Sequence, residues 1–147
     1  MTAAGSPEIR ARALEEARAW IGTPYHHQAS TRGAGCDCLG LVRGVYRALT
    51  GMDVQPPPYT ANWAEDTGRE TLLEAARRYL VEIPVAAAQP GDVLLFRWRA
   101  HLPAKHAGIL SAPGRMIHAY DGHAVLETAI PSAWRARIAG AFAFPEA

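Results

Sequence analysis

Long apolar runs are missing from this 147-residue chain. None approaches the ~20 residues a membrane-crossing helix needs, so no helical membrane span is expected. The opening residues, Met1-Thr2-Ala3-Ala4-Gly5-Ser6-Pro7, hold no apolar core of the kind a secretory leader carries, so none is expected. Excess charge of one sign is also missing. The formal net charge is +1 with histidines neutral, which removes the electrostatic footprint of a nucleic-acid binder. Cysteine is scarce: Cys36 and Cys38 are the only two. Side chains at i and i+2 diverge on a helix and leave a poor geometry for a disulfide on a strand. Both are read as reduced thiols of a protein made in the cytoplasm. Internal repeats and low-complexity linkers are absent too. The length suits one domain, residues 1–147, with a real core.

What is present begins with helices. Ser6-Pro7 is a capped start, and Ile9, Ala13, Ala17, Trp20 and Ile21 recur at helical spacing until Gly22-Thr23-Pro24 stops them. A polar loop from Tyr25 to Gly35 contains His26 and His27. A second helix starts at Asp37 or Cys38, with Leu41, Val42, Val45, Tyr46 and Leu49 as its buried stripe and Gly51 as its end. Gly40 falls in its first turn, where glycine costs about 1 kcal/mol against alanine. Close approach of another backbone, of a substrate, or plain packing would each justify it. Gln55-Pro56-Pro57-Pro58-Tyr59 belongs to a surface excursion over residues 51–66. A third helix is expected from about Arg69 to Val81.

The period then changes. Val93–Trp98, His106–Leu110, Arg115–Tyr120, Ala124–Thr128 and a last segment near Ile138–Phe144 read as strands. Ser111-Ala112-Pro113-Gly114 and Asp121-Gly122 read as turns between them. Helices first and hairpin strands afterwards make an α+β fold with an antiparallel sheet.

A helix start offers unpaired N–H groups and partial positive charge, which favour a thiolate. Cys38 is therefore a candidate nucleophile. Such a thiol needs a base, and the base needs an orienting group. His106 and His118 lie on adjacent strands. Pairing 106 with 118 around a loop centred on Ala112 puts them side by side on one sheet face, and a slip of one residue would separate them. The geometry requires the three side chains to meet on one face. Asp37 reads as a helix cap rather than a catalytic acid, since a carboxylate opposes thiolate formation. Cys36 reads as a bystander. His26, His27, Cys36 and Cys38 do not have the spacing of structural zinc sites, so no metal is expected.

Tyr25, then Asp37-Cys38-Leu39-Gly40-Leu41-Val42, then Pro90-Gly91-Asp92-Val93-Leu94-Leu95-Phe96, then His106-Ala107-Gly108-Ile109, then Met116-Ile117-His118-Ala119 follow one another in an order that resembles the NlpC/P60 cysteine peptidases. The resemblance covers residues 8 to 128. It implies a papain-like fold, with the nucleophile opening a helix packed on an antiparallel sheet. It implies Cys38 as nucleophile, His106 as general base and His118 as orienting residue, with no cofactor. Tyr25, Asp37 and Leu39 are the further candidates for substrate or oxyanion contact; Leu39 stands where many members have serine. The implied substrate is a peptidoglycan stem peptide, cut between D-glutamate and a diamino acid. A short, leaderless form resembles the subgroup borne by phage tails and gene-transfer particles, which would carry the enzyme to the wall in the periplasm. Two other readings stand beside it: an acyltransferase or amidase on the same scaffold, and a non-catalytic component of a tail-like particle.

Overall fold

The computed structural model describes residues 5–56, 69–120 and 122–145. Asp121 of the expected turn, and most of the proline-containing excursion, lie outside them. Helix α1, Pro7–Ala19, starts at Ser6, whose hydroxyl accepts the Ile9 N–H at 3.2 Å. It buries Ile9, Ala13 and Ala17. Two short strands, β1 (Ser30–Thr31) and β2 (Gly35–Cys36), pair inside the loop that reads as irregular in sequence. Helix α2, Cys38–Thr50, buries Leu41, Val42, Val45 and Leu49 and ends at Gly51, held at φ 74°, a left-handed value that favours glycine.

Helix α3 spans Thr71–Tyr79, shorter than the sequence suggests. The residues after it, Val81–Ile83, form strand β3 instead, paired with the distant C-terminal segment. Their β-branched side chains suit a strand, and the pairing partner is supplied only by tertiary structure. The remaining strands are β4 (Val93–Phe96), β5 (His106–Ala112), β6 (Arg115–His118), β7 (Leu126–Ala129) and β8 (Ile138–Ala143), with a one-turn helix α4 (Ser132–Arg135) before the last. They form a six-stranded antiparallel sheet in the order β3-β8-β4-β5-β6-β7. The α+β architecture is the one read from the sequence. Among the described residues no helix is long and apolar enough to cross a membrane.

Strand β4 is buried along its whole length because both sheet faces are covered. Val93, Leu95, Ala107, Ile109 and Ile117 pack with α1, α2 and α3. Leu94, Phe96, Leu110 and Met116 form a smaller cluster on the opposite face, closed by Trp98 and Trp134.

The Pro90-Gly91-Asp92 turn ties α1 to this sheet. Asp92 is 0% exposed, and both its carboxylate oxygens accept from Arg10 Nε at 3.1 Å. One oxygen also accepts the Gln89 N–H at 2.8 Å. Asp92→Ala leaves Arg10, which is partly exposed, to be solvated, and removes these charge-assisted hydrogen bonds, so it is expected to lower unfolding free energy by about 1.5–3 kcal/mol. Urea denaturation would show this as a lower midpoint; an unchanged midpoint would deny the pair its anchoring role.

Candidate active site

Asp37 builds the start of α2. Its Oδ1 accepts the Gly40 N–H at 2.7 Å and its Oδ2 accepts the Gln28 N–H at 2.7 Å, so one buried carboxylate caps the helix and fastens the preceding loop to it. Cys38 is the first helical residue and is 7% exposed. The backbone N–H groups of Leu39 and Ala107 act on its sulfur electrostatically. Those donors favour the thiolate, but burial and the neighbouring Asp37 carboxylate outweigh them, and the thiol pKa is pushed up to about 12. The resting group is a neutral thiol.

Ala107 is the residue after His106, so the sulfur sits beside the start of β5. His106 is 3% exposed and His118 5%. His106 Nε2 lies 2.9 Å from His118 Nδ1, and His118 Nε2 lies 3.0 Å from Thr128 Oγ1. These contacts leave His106 Nδ1 as the ring nitrogen outside the pair. Trp98 stacks on the His106 ring at 5.6 Å between centroids, and Trp134 meets it edge-on at 5.5 Å.

The expected strand register is corrected. Ile109 stands opposite Ile117, where the 106-to-118 pairing put it opposite Arg115. A tight turn through Gly114 at φ 72° and an irregularity between Leu110 and Ala112 account for the difference. The displacement is two residues, so the face is unchanged and the histidines meet diagonally. Gly108 makes room: a Cβ there would lie 3.4 Å from His118 Cβ and 2.7 Å from Met116 Sδ.

The requirement that all three side chains share one sheet face does not hold for the cysteine. His106 is opposite Phe96, and His118 follows Met116 by two positions, so both imidazoles lie on the Phe96 and Met116 face. Cys38 comes from the helix-covered face, packed with Ala107 and Ile109. It reaches the strand end near Ala107, beyond the Ile109–Ile117 pair.

Tyr25 is half-buried and forms a parallel bridge with Cys36, two residues before the thiol. The Leu39 N–H acts on the sulfur electrostatically, while the side chain lines a small apolar cavity of about 50 Å³ with Val42, Leu72, Leu95 and Ala107. Cys36 is fully buried and its pKa too is pushed up to about 12, first by burial and then by Asp37. His26 and His27 are exposed, with His27 Nδ1 3.9 Å from Asp37 Oδ2. Among the described residues no group of three or more His, Cys, Asp or Glu side chains is arranged to hold a metal. Thr128, Trp98, Tyr120 and Trp134 are the neighbours that sequence reasoning does not assign to the site.

Burial holds the His106 pKa down to about 3, helped by His118, and that of His118 down to about 4, helped by His123. In the unfolded chain both take up protons as pH falls through about 6.5. The unfolded state then binds more protons, so stability present above 6.5 is lost towards 4. The loss by pH 5 is at most about 2 kcal/mol per ring. Urea midpoints at pH 7 and pH 5 should differ more for the native protein than for a His106→Gln, His118→Gln double variant. Equal differences would mean the rings are not held neutral.

A model of the NlpC/P60 family matches residues 22–142. The gamma-DL-glutamyl hydrolase of Bacillus subtilis (strain 168) is 31% identical over 106 residues, 72% of this chain and 22% of that protein. The tail tip assembly protein K of Escherichia phage lambda is 32% identical over 82 residues, 56% of this chain and 40% of that protein. The chain thus spans less than half the length of either relative. The solved NlpC/p60 domain of the peptidoglycan hydrolase SagA superposes with a TM-score of 0.64 at 27% identity, over 90% of this chain and 97% of that one. The family match runs from the end of α1 into β8, through the capped thiol and the paired histidines, and the chain belongs to the NlpC/P60 family.

Proposed function

We propose that this protein is a cysteine hydrolase that cuts peptidoglycan stem peptides. The observation that carries the reading is the 2.9 Å His106–His118 contact beside a thiol at a helix start. Family membership supports the substrate class, as does the likeness to a peptidoglycan hydrolase domain. The likeness to a protein named gamma-DL-glutamyl hydrolase supports a γ-glutamyl bond as the one cut, and the family resemblance implies a diamino acid on its other side.

In this mechanism His106 Nδ1 takes the Cys38 proton as the sulfur attacks the amide carbonyl. The C–N bond breaks, His106 returns the proton to the leaving amine, and a thioester remains. Water, deprotonated by His106, then cleaves the thioester and restores the thiol. Of the first N–H groups of α2, that of Gly40 is taken by Asp37. We assign the oxyanion to the Cys38 N–H, with Tyr25 as a substrate contact from the adjoining segment.

The acyltransferase alternative needs an acceptor other than water at the thioester; the family match and the likeness to a peptidoglycan hydrolase domain favour hydrolysis. Delivery by a tail-like particle to the wall outside the cytoplasmic membrane is supported by the likeness to the phage lambda tail tip protein. Digestion of purified sacculi followed by mass spectrometry of the released muropeptides tests both bond and activity. Fragments newly ending in D-glutamate, with a free diamino-acid amine on the other side, are expected. Intact stem peptides after prolonged digestion would overturn the hydrolase reading.

A further inference from the structure

We propose that Thr128 is a positioning residue whose hydroxyl oxygen accepts the His118 Nε2–H, which sets the tautomers of both histidines and keeps the His106 Nδ1 lone pair available to the thiol. This rests on the cysteine-hydrolase reading for its catalytic consequence, though not for its structural content.

Two neutral imidazoles cannot define a direction for themselves. Each carries one N–H and one lone pair, and either nitrogen can hold the proton. Burial keeps both rings neutral near pH 7. His106 Nε2, His118 Nδ1, His118 Nε2 and Thr128 Oγ1 form one chain of two hydrogen bonds, 2.9 and 3.0 Å long. One proton per bond allows two polarities. If His118 Nε2–H donates to the threonine, His118 Nδ1 must accept from His106 Nε2–H, and His106 Nδ1 is a lone pair. If the threonine donates, every proton moves: His118 carries Nδ1–H, and His106 carries Nδ1–H, which cannot take a proton from a thiol.

The group at the end of the chain therefore sets the state of a nitrogen two rings away. A carboxylate in the place of His118 would impose a direction by its charge; a neutral histidine does not. Thr128 does it as an acceptor: its oxygen offers two lone pairs, and its single O–H can turn away from His118 Nε2. It lies on β7 directly opposite Met116, so the backbone ladder fixes the position of its hydroxyl. His118 stands opposite Leu126, one diagonal step along the same face. Gly108 leaves the His118 ring space to span the gap between His106 and Thr128.

Thr128→Val keeps the shape and removes the hydroxyl. A buried N–H without an acceptor is less tolerated than a buried lone pair without a donor, so the proton of His118 should leave Nε2. Long-range proton–nitrogen correlation spectra of the imidazoles read this directly. In the native protein and in Thr128→Ser both rings should be protonated at Nε2. In Thr128→Val both protons should shift to Nδ1. In wall digestion, Thr128→Val should lose about 10- to 100-fold in kcat with KM unchanged, and serine should restore it. An Nδ1–H on His106 in the native protein, or an unchanged pattern in Thr128→Val, would overturn the proposal, as would equal kcat for native and valine forms. If the spectra change as expected while even the native protein leaves the wall intact, the role of Thr128 in setting the tautomers stands and the hydrolase reading fails.

Discussion

Cys38→Ala is expected to lower kcat/KM on peptidoglycan by at least about a thousandfold, to the limit of detection, because no other group in the site forms the thioester. Muropeptide release measures it, and the circular dichroism spectrum should be unchanged, since the substitution removes one buried sulfur from the first turn of α2 and leaves the Asp37 cap in place. Equal release by native and variant proteins would rule out the thiol mechanism. His106→Ala should be nearly as damaging for a different reason. The thiol is held protonated, with its pKa pushed up to about 12. Without a base, the thiolate at pH 7 is about five powers of ten below the thiol. Activity of His106→Ala should therefore rise about tenfold per pH unit on the alkaline side, whereas the native protein, with its base in place, should not need alkali. The double variant should be no worse than either single one, because the two groups act as a unit. Cys36→Ala is the control. Its thiol is fully buried in β2 and lies outside the proposed mechanism, so its loss should alter stability and leave kcat in place.

Much of this site is legible in the chain because its pieces are local. Asp37 as cap, Cys38 as first helical residue, the apolar stripe and Gly51 as terminator are all nearest-neighbour signals, and α2 runs between them. The histidines are legible as strand residues. Their diagonal meeting is not, because the tight turn through Gly114 and a one-residue irregularity near Ser111 together displace the register by two, and only the even size of that net displacement preserves the shared face. Approach of the cysteine from the other side of the sheet is likewise invisible in a sequence, since it depends on how α2 lies across the end of β5. Thr128, Trp98 and Trp134 come from three separate segments, and nothing near them in the chain marks them as neighbours of His106 and His118. Strand β3 is hidden for the same reason: its partner lies some sixty residues away in β8.

Gly40→Ala should be the most damaging single methyl that can be added next to Cys38. Of the reasons open to a glycine in the first turn of α2, the structure selects the approach of another backbone. A Cβ at position 40 would fall onto the carbonyl oxygen of Ala29 and within 3.1 Å of Asp37 Oδ1. The same region holds three hydrogen bonds: Asp37 N–H to the Ala29 carbonyl at 3.3 Å, Ser30 hydroxyl to the Gly40 carbonyl at 2.6 Å, and Gly40 N–H to Asp37 at 2.7 Å. No flexible side chain stands at the collision, so the backbone from Gln28 to Ser30 must move. That movement also draws on the Gln28 N–H bond to Asp37. Overpacking alone costs about 1–3 kcal/mol. Because the Asp37 cap and the Ser30 hydrogen bond are broken as well, about 3–5 kcal/mol is expected for Gly40→Ala. Gly44→Ala, one helical turn on, gives the comparison. Its Cβ would strike the ring of Trp20, which is buried in the core, so an overpacking cost of about 1–3 kcal/mol is expected, without the loss of hydrogen bonds that Gly40→Ala adds. It should also leave the Asp37 cap untouched. The two variants therefore separate stability from catalysis. At a temperature where both remain folded, Gly40→Ala should lose cleavage because the Cys38 sulfur and its N–H move with the first turn, and Gly44→Ala should retain it. Equal loss in both would mean that Gly40 matters only for packing.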